Sequence, residues 1–206
     1  MVIETPDLDR ALARARSGDE TGFVELWRSL QPRLLRYLRV ISCDDPDDVA
    51  SETWLQVVRD LHKFKGGGED FRRWLFSVGR YRAIDAARAR KRRRSSPVAD
   101  GLESLADEQM VEDQVLDGMS VAMATGLLAD LSRDQAEAVA LRVIAGLDTA
   151  AVAEILGKSP GAVRVALHRG LRALAADPRV QALAADPGIE KPVPDQSLLT
   201  SRRWVS

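Results

Sequence analysis

Apolar residues in this chain recur at intervals of three and four rather than two, and that spacing limits the fold before any motif does. In "GFVELWRSLQPRLLRYLRVI", Phe23, Leu26, Trp27, Leu30, Leu34, Leu35 and Leu38 fall on one broad helical face. Pro32 lies inside this run and predicts a kink or interruption, because proline lacks an amide donor and crowds the preceding turn. The segment "DDPDDVASETWLQVVRDLHKF" repeats the pattern with Val49, Trp54, Leu55, Val58 and Leu61. Its leading aspartates suit the positive end of a helix dipole. In "FRRWLFSVGRYRAIDAARARKRRR", Phe71, Trp74, Leu75, Val78 and Ile84 mark a buried stripe and leave Arg73, Arg80 and Arg88 exposed. Few stretches alternate as a half-buried strand would, so the sequence predicts an all-α protein.

Turn signals divide the chain. "PDLDRALARARSG" reads as a short first helix broken by Ser17 and Gly18, with Asp19 or Thr21 available to cap the next. "KGGGED" is a loop, the next helix begins near Asp70, and Pro97 with Gly101 ends it. A second unit resolves into three helices: Arg133 to Ala145, Thr149 to Leu156, and one capped by Ser159 with Pro160 at its first position. The short turn at Gly157 between the last two is a helix-turn-helix signature. The expected division is a helical bundle over 1–94, an acidic flexible linker over 95–118, a helix-turn-helix domain over 119–176, and a tail over 177–206. In the tail, "ALAADP" occurs twice, and a helix extension followed by a Pro-rich disordered end is expected. Its last residues, "SRRWVS", read as disordered or as a docking peptide anchored by Trp204.

The formal net charge of −1 conceals a segregation. Eight Arg or Lys fall between Arg80 and Arg94, whereas 95–118 holds seven acidic residues and no basic one. Such asymmetry points to a polyanionic partner for one part of the chain and a different task for another. Chemistry of other kinds is poorly provided for. The lone Cys43 forms no internal disulfide, and His62 and His168 have no second ligand at zinc-binding spacing. "KGGGED" lacks the spacing and the Lys-Ser/Thr ending of a phosphate-binding loop, and no nucleophile stands beside a base. An enzyme, a metal and a cofactor are therefore not expected. No apolar run approaches the roughly 18 residues of a membrane span, and the N-terminus lacks a signal-peptide pattern; a cytoplasmic protein is expected.

Two segments carry the binding chemistry. In the last helix of the second unit Val163, Leu167, Leu171 and Leu174 face inward, while Arg164, His168 and Arg172 recur on another face with Arg169 beside them. One face held by its own domain and one cationic face free is what reading a major groove requires. In the basic helix, arginines track phosphates, and Trp74, Phe76 and Tyr81 offer aromatic surface to unstacked bases. Trp74 serves the core more readily than a base, and Tyr81 is the better platform.

In this order, "DDVASETWLQVVRDL", "FRRWLFSVGRYRAIDAARARKRR" and "LSRDQAEAVALRVIAGLDTAAVAEILGKSPGAVRVALHRGLRAL" resemble the extracytoplasmic-function group of bacterial sigma factors, over about residues 7–176. The resemblance implies a dissociable specificity subunit of RNA polymerase that selects promoters and assists their melting, with no covalent chemistry of its own. It implies docking on the clamp helices of the polymerase largest subunit by Asp48, Val49, Glu52, Thr53 and Trp54, with Gln56 beside them. It implies minus-ten promoter contacts by Lys65, Arg73, Trp74, Arg80, Tyr81, Arg82 and Arg88, with the loop Phe64 to Asp70 capturing a flipped base. Minus-thirty-five contacts would come from Ser159, Gly161, Arg164, Val165, His168, Arg169 and Arg172. An anti-sigma factor is an implied partner, and the acidic linker would run near the RNA exit path. Three departures stand out: Tyr81 replaces a usual Asn; Val165, Ala166 and Leu171 replace polar or basic residues; and the tail lies past the usual family end. The rival reading is an autonomous helix-turn-helix regulator, which leaves the basic helix and "DDVASETW" without a task.

Overall fold

The computed structural model describes residues 5–41, 43–94 and 121–185. They form nine α-helices and a short 3₁₀ turn at Leu61–Lys63. The first bundle comprises α1 (Thr5–Arg16), α2 (Glu20–Val40), α3 (Pro46–Asp60) and α4 (Gly68–Arg94). The second comprises α5 (Val121–Ala129), α6 (Arg133–Val143), α7 (Thr149–Leu156), α8 (Pro160–Ala176) and α9 (Pro178–Ala185). The acidic stretch expected to link the units and the tail beyond 185 lie outside the described residues.

Helix starts follow local chemistry. The Asp19 carboxylate accepts from the Thr21 amide at 2.9 Å and caps α2, and Asp45 accepts from Asp48 at 3.0 Å to cap α3. In the second unit Asp148 accepts from Ala151 at 2.7 Å, and the Ser159 hydroxyl accepts from Ala162 at 3.2 Å. Gly157 between them adopts φ +64°, the left-handed region that closes the turn. Pro32 does not interrupt α2. The helix runs unbroken through it because Leu26, Leu30, Leu34, Tyr37 and Leu38 are buried on both sides, and their packing outweighs an interior-proline cost of about 3 kcal/mol.

Several periodicity readings change in three dimensions. Trp27, Leu55 and Val58, placed by spacing on the inner faces of α2 and α3, are exposed. Phe76, read as a platform for bases, is fully buried with its ring edge-on to Tyr37. The second unit also contains α5, which periodicity does not reveal because "VAMATGLLA" has no polar face to define a stripe. Leu127 and Leu128 bury it against α2 and α6.

The two units share one core. Buried side chains run continuously from Leu8 in α1 to Leu167 in α8, with α2 meeting α5 and α6, and α4 meeting α7. Close helix approaches are set by glycines. A Cβ on Gly22 would lie 2.6 Å from the Arg14 Cβ and 2.7 Å from the Ala11 carbonyl oxygen. Backbone cannot yield as a flexible side chain can, so Gly22→Ala is predicted to destabilise the protein by about 1–3 kcal/mol. Gly161→Ala, where an added Cβ meets nothing within 4 Å, leaves stability unchanged or slightly higher. Urea unfolding of the two variants measures the difference; coincident midpoints would refute the close-packing account.

Candidate nucleic-acid and polymerase interfaces

The outer face of α8 is cationic and, among the described residues, exposed. Val163 and Leu167 are buried, and Gly170 lets the helix approach α6, where an added Cβ would sit 2.9 Å from Val139. Opposite them, Ser159, Gly161, Arg164, Val165, His168, Arg169 and Arg172 are all exposed. No carboxylate among the described residues pairs with Arg164, His168, Arg169 or Arg172. The Arg164 guanidinium donates to the Pro160 carbonyl at 3.3 Å, which holds it along the first turn of the helix. A helix bound to its own domain by one face and presenting unpaired cations on the other can enter a duplex groove.

The cations of α4 stand differently. Sequence periodicity places Arg80 on the exposed face, but the structure half-buries it against α6. Its Nε donates to Glu137 Oε1 at 2.7 Å, and the hydroxyl of the fully buried Tyr37 donates to the same oxygen at 3.2 Å. Glu137 is 7% exposed, so both donors are needed to offset the loss of its hydration. Burial pulls the Arg80 guanidinium down, but the bond to Glu137 and its charge more than compensate, so it is held above its ordinary value. Burial, reinforced by the Glu137 charge, keeps the Tyr37 phenol well above its usual range.

Arg73 bonds Asp70 on its own helix at 2.7 Å and reaches Glu154 of α7 at 3.3 Å. Arg72, to which the sequence assigned no role, is 6% exposed and approaches the Gly146 carbonyl at 3.5 Å and Glu69 at 3.0 Å. Arg33 lies beside that glycine, and burial, with the charges of Arg72 and Arg36, lowers its guanidinium below the ordinary value. Two of the cations singled out for minus-ten contact, Arg73 and Arg80, are thus engaged by carboxylates of the second unit. Lys65, Tyr81 and Arg88 remain exposed. Trp74 is partly buried and stacks on Phe64, their centroids 5.1 Å apart and planes 20° from parallel.

On α3 the residues assigned to polymerase docking divide in two. Val49, Thr53 and Trp54 are buried: Thr53 returns a hydrogen bond to the Val49 carbonyl at 2.7 Å, and Trp54 meets Phe23 edge-on and donates to Gln31 at 2.6 Å. They hold the helix and cannot meet a partner in this arrangement. Asp48 and Glu52 are exposed, Gln56 is half-buried, and the exposed Leu55 and Val58 stand among them. Spacing could not identify these two, because an apolar residue at helical period reads as core whichever face it is on. Arg82 of α4 joins the sets, donating to Gln56 Oε1 and lying 3.8 Å from Glu52.

Comparison with known proteins finds a family match in each of the two units. The family described as Sigma-70 region 2 matches residues 26–93, which span α2 to α4. The family described as Sigma-70, region 4 matches residues 123–174, which contain α6, α7 and most of α8. The ECF RNA polymerase sigma factor SigD of Mycobacterium tuberculosis is 31% identical over 84% of this chain and 85% of its own length. The ECF RNA polymerase sigma factor ShbA of Streptomyces griseus is 32% identical over 84% and 96%.

This chain belongs to the ECF RNA polymerase sigma factors.

Solved sigma factors share its fold. CnrH, in complex with the cytosolic domain of CnrY, superposes with a TM-score of 0.55 at 24% identity, covering 82% of this chain and 96% of CnrH. The sigma factor RpoE of Bartonella quintana, in complex with the anti-sigma factor NepR, gives 0.56 at 23% identity over 79% and 96%. This sigma factor therefore acts in transcription initiation, through a region 2 bundle and a region 4 helix-turn-helix. Among the described residues no helix is long and apolar enough to cross a membrane.

The Tyr37 phenol provides a pH test of the contact between the regions. Its neutral form is the one the folded interface favours, so its contribution is complete below the unfolded tyrosine pKa and is lost as pH rises through the raised folded value. In a Tyr81→Phe variant, where Tyr37 is the chain's one tyrosine, tyrosinate absorbance should appear well above pH 10 and together with the loss of near-UV dichroism. Ionisation near pH 10, with the fold intact, would contradict the buried placement.

Proposed function

We propose that this sigma factor divides its work among three surfaces. The α8 face of Ser159, Gly161, Arg164, Val165, His168, Arg169 and Arg172 reads the minus-thirty-five element as duplex. On α4 and the loop before it, Lys65, Arg73, Arg80, Tyr81, Arg82 and Arg88 hold the melted minus-ten strand, with Trp74 as the wall behind the loop. On α3 the exposed Asp48, Glu52, Leu55 and Val58, with the half-buried Gln56, dock on the clamp helices of the polymerase largest subunit, while Val49, Thr53 and Trp54 keep that helix in place. Exposed apolar residues among carboxylates carry this last assignment, since they provide an interface with buried area and orientation together. The working division is 1–94 for polymerase and minus-ten DNA, 95–118 as linker, 119–176 for the minus-thirty-five element and 177–206 as a tail. The protein works in the cytoplasm, where the polymerase and promoter are, and performs no covalent chemistry.

Arg73 and Arg80 meet phosphate only after Glu154 and Glu137 have released them. Minus-ten binding and the closed arrangement of the two regions therefore exclude each other. Docking on polymerase opens the protein, and an anti-sigma factor, of the kind that accompanies the fold relatives, keeps its surfaces covered.

Run-off transcription with core polymerase on a promoter library tests this reading. The wild-type protein is expected to yield transcripts from a defined subset of promoters. Glu52→Arg is expected to lower their yield at least tenfold, with duplex binding by the isolated protein unchanged. Full activity of Glu52→Arg would remove α3 from the docking surface.

A further inference from the structure

The loop ahead of α4 cannot cap its own helix. Gly67 occupies the capping position and has no side chain to accept from the first helical amides. Asp70, in the first turn of the helix, accepts from the Gly67 amide at 3.2 Å and also binds Arg73. The next amide, that of Gly68, is taken by a carboxylate fifty-nine residues away in sequence: Asp9 Oδ1, on α1. The fit is tight on both sides. A Cβ on Gly67 would come within 2.9 Å of that same Asp9 oxygen, and one on Gly68 within 2.7 Å of the Leu8 Cβ. Gly66 turns the chain at φ +148°, a conformation that side-chain-bearing residues rarely adopt. Lys65 and Gly66 thus hang between the Phe64–Trp74 stack on one side and an anchor supplied by α1 on the other.

We propose that Asp9 is a positioning residue for the loop that takes a base from the melted minus-ten strand. It fixes the start of α4, and with it Lys65 and Gly66, from a helix outside the segment that matches region 2. The inference rests on the reading of the loop 64–70 as base-binding. Asp9 itself touches no DNA. Its carboxylate restrains the loop in the shape that receives the base, so that less ordering is left to occur on binding. The ordinary effect of losing a helix cap, about 1 kcal/mol, appears here as weaker capture of the base.

The experiment uses the full chain assembled with core polymerase and a fork-junction DNA from a promoter recovered by run-off transcription. 2-Aminopurine replaces each nontemplate base of the minus-ten element in turn. Asp9→Ala is expected to weaken binding of the fork about fivefold and to reduce the fluorescence rise of the flipped base. Core affinity and duplex minus-thirty-five binding stay within twofold of wild type. Asp9→Asn, whose amide oxygen still accepts from Gly68, should restore both signals. A parallel Lys65→Ala variant separates the two levels of the argument. If Lys65→Ala diminishes the signal and Asp9→Ala does not, Asp9 has no positioning role. If neither variant changes it, the loop does not bind the base and the reading beneath the inference fails. If Asp9→Ala lowers duplex, core and fork binding alike, along with the melting temperature, its role is in folding alone and the proposal is overturned.

Discussion

Glu137 is a carboxylate buried where α6 lies against α2 and α4, and the closed arrangement of the protein depends on it. Taken out of water, its charge requires compensation, which comes from the Arg80 guanidinium at 2.7 Å and the Tyr37 hydroxyl at 3.2 Å. Both donors belong to region 2 and the carboxylate to region 4. Removing one partner from such a pair typically costs about 3–5 kcal/mol, because the remaining charge stays buried. The side chain of Arg80 is a quarter exposed, which places its loss toward the lower end. The apolar contact among α2, α5 and α6 provides area without much direction. The Glu137 cluster supplies direction, since its three groups can all be satisfied in only one relative placement of the regions.

The same economy gives the contact a functional consequence. A cation suited to DNA phosphate is equally suited to a carboxylate, and region 4 presents Glu137 to Arg80 and Glu154 to Arg73. Among the described residues the α8 face has no such counterpart. On the proposed assignment, duplex recognition is therefore available in the closed protein, whereas the minus-ten surface is in part occupied. The proposed docking face of α3 is linked to that surface as well, because Arg82 of α4 rests on Gln56 and near Glu52.

Much of this was legible in the sequence. The helical period gave an all-α protein, Ser159 announced its cap, the choice of Asp19 or Thr21 contained the cap of α2, and the order of three motifs gave the sigma-factor family. The cationic face of α8 was legible because Val163 and Leu167 identify its inner side and leave little freedom for the rest. What escaped was whatever depends on a second element. Leu55 and Val58 obey the period of a core face but point outward, since α3 is covered on one side only. Phe76 and Arg80 lie in a basic, aromatic run that suggests nucleic acid, yet Tyr37 and Glu137 claim them across the structure. The Asp9–Gly68 bond joins residues whose local patterns say only helix and loop. Tertiary partners, not propensity, decided each of these.

The central claim is that the free protein is closed around Glu137 and opens to hold promoter DNA. Pulsed electron-electron resonance tests it most directly, using spin labels at Arg59 on α3 and Ala173 on α8, both exposed, in a Cys43→Ser background. The account predicts one narrow distance population in the free protein and a longer one in the complex with core polymerase and promoter. A broad distribution in the free protein, or the same distance with and without promoter, would contradict it.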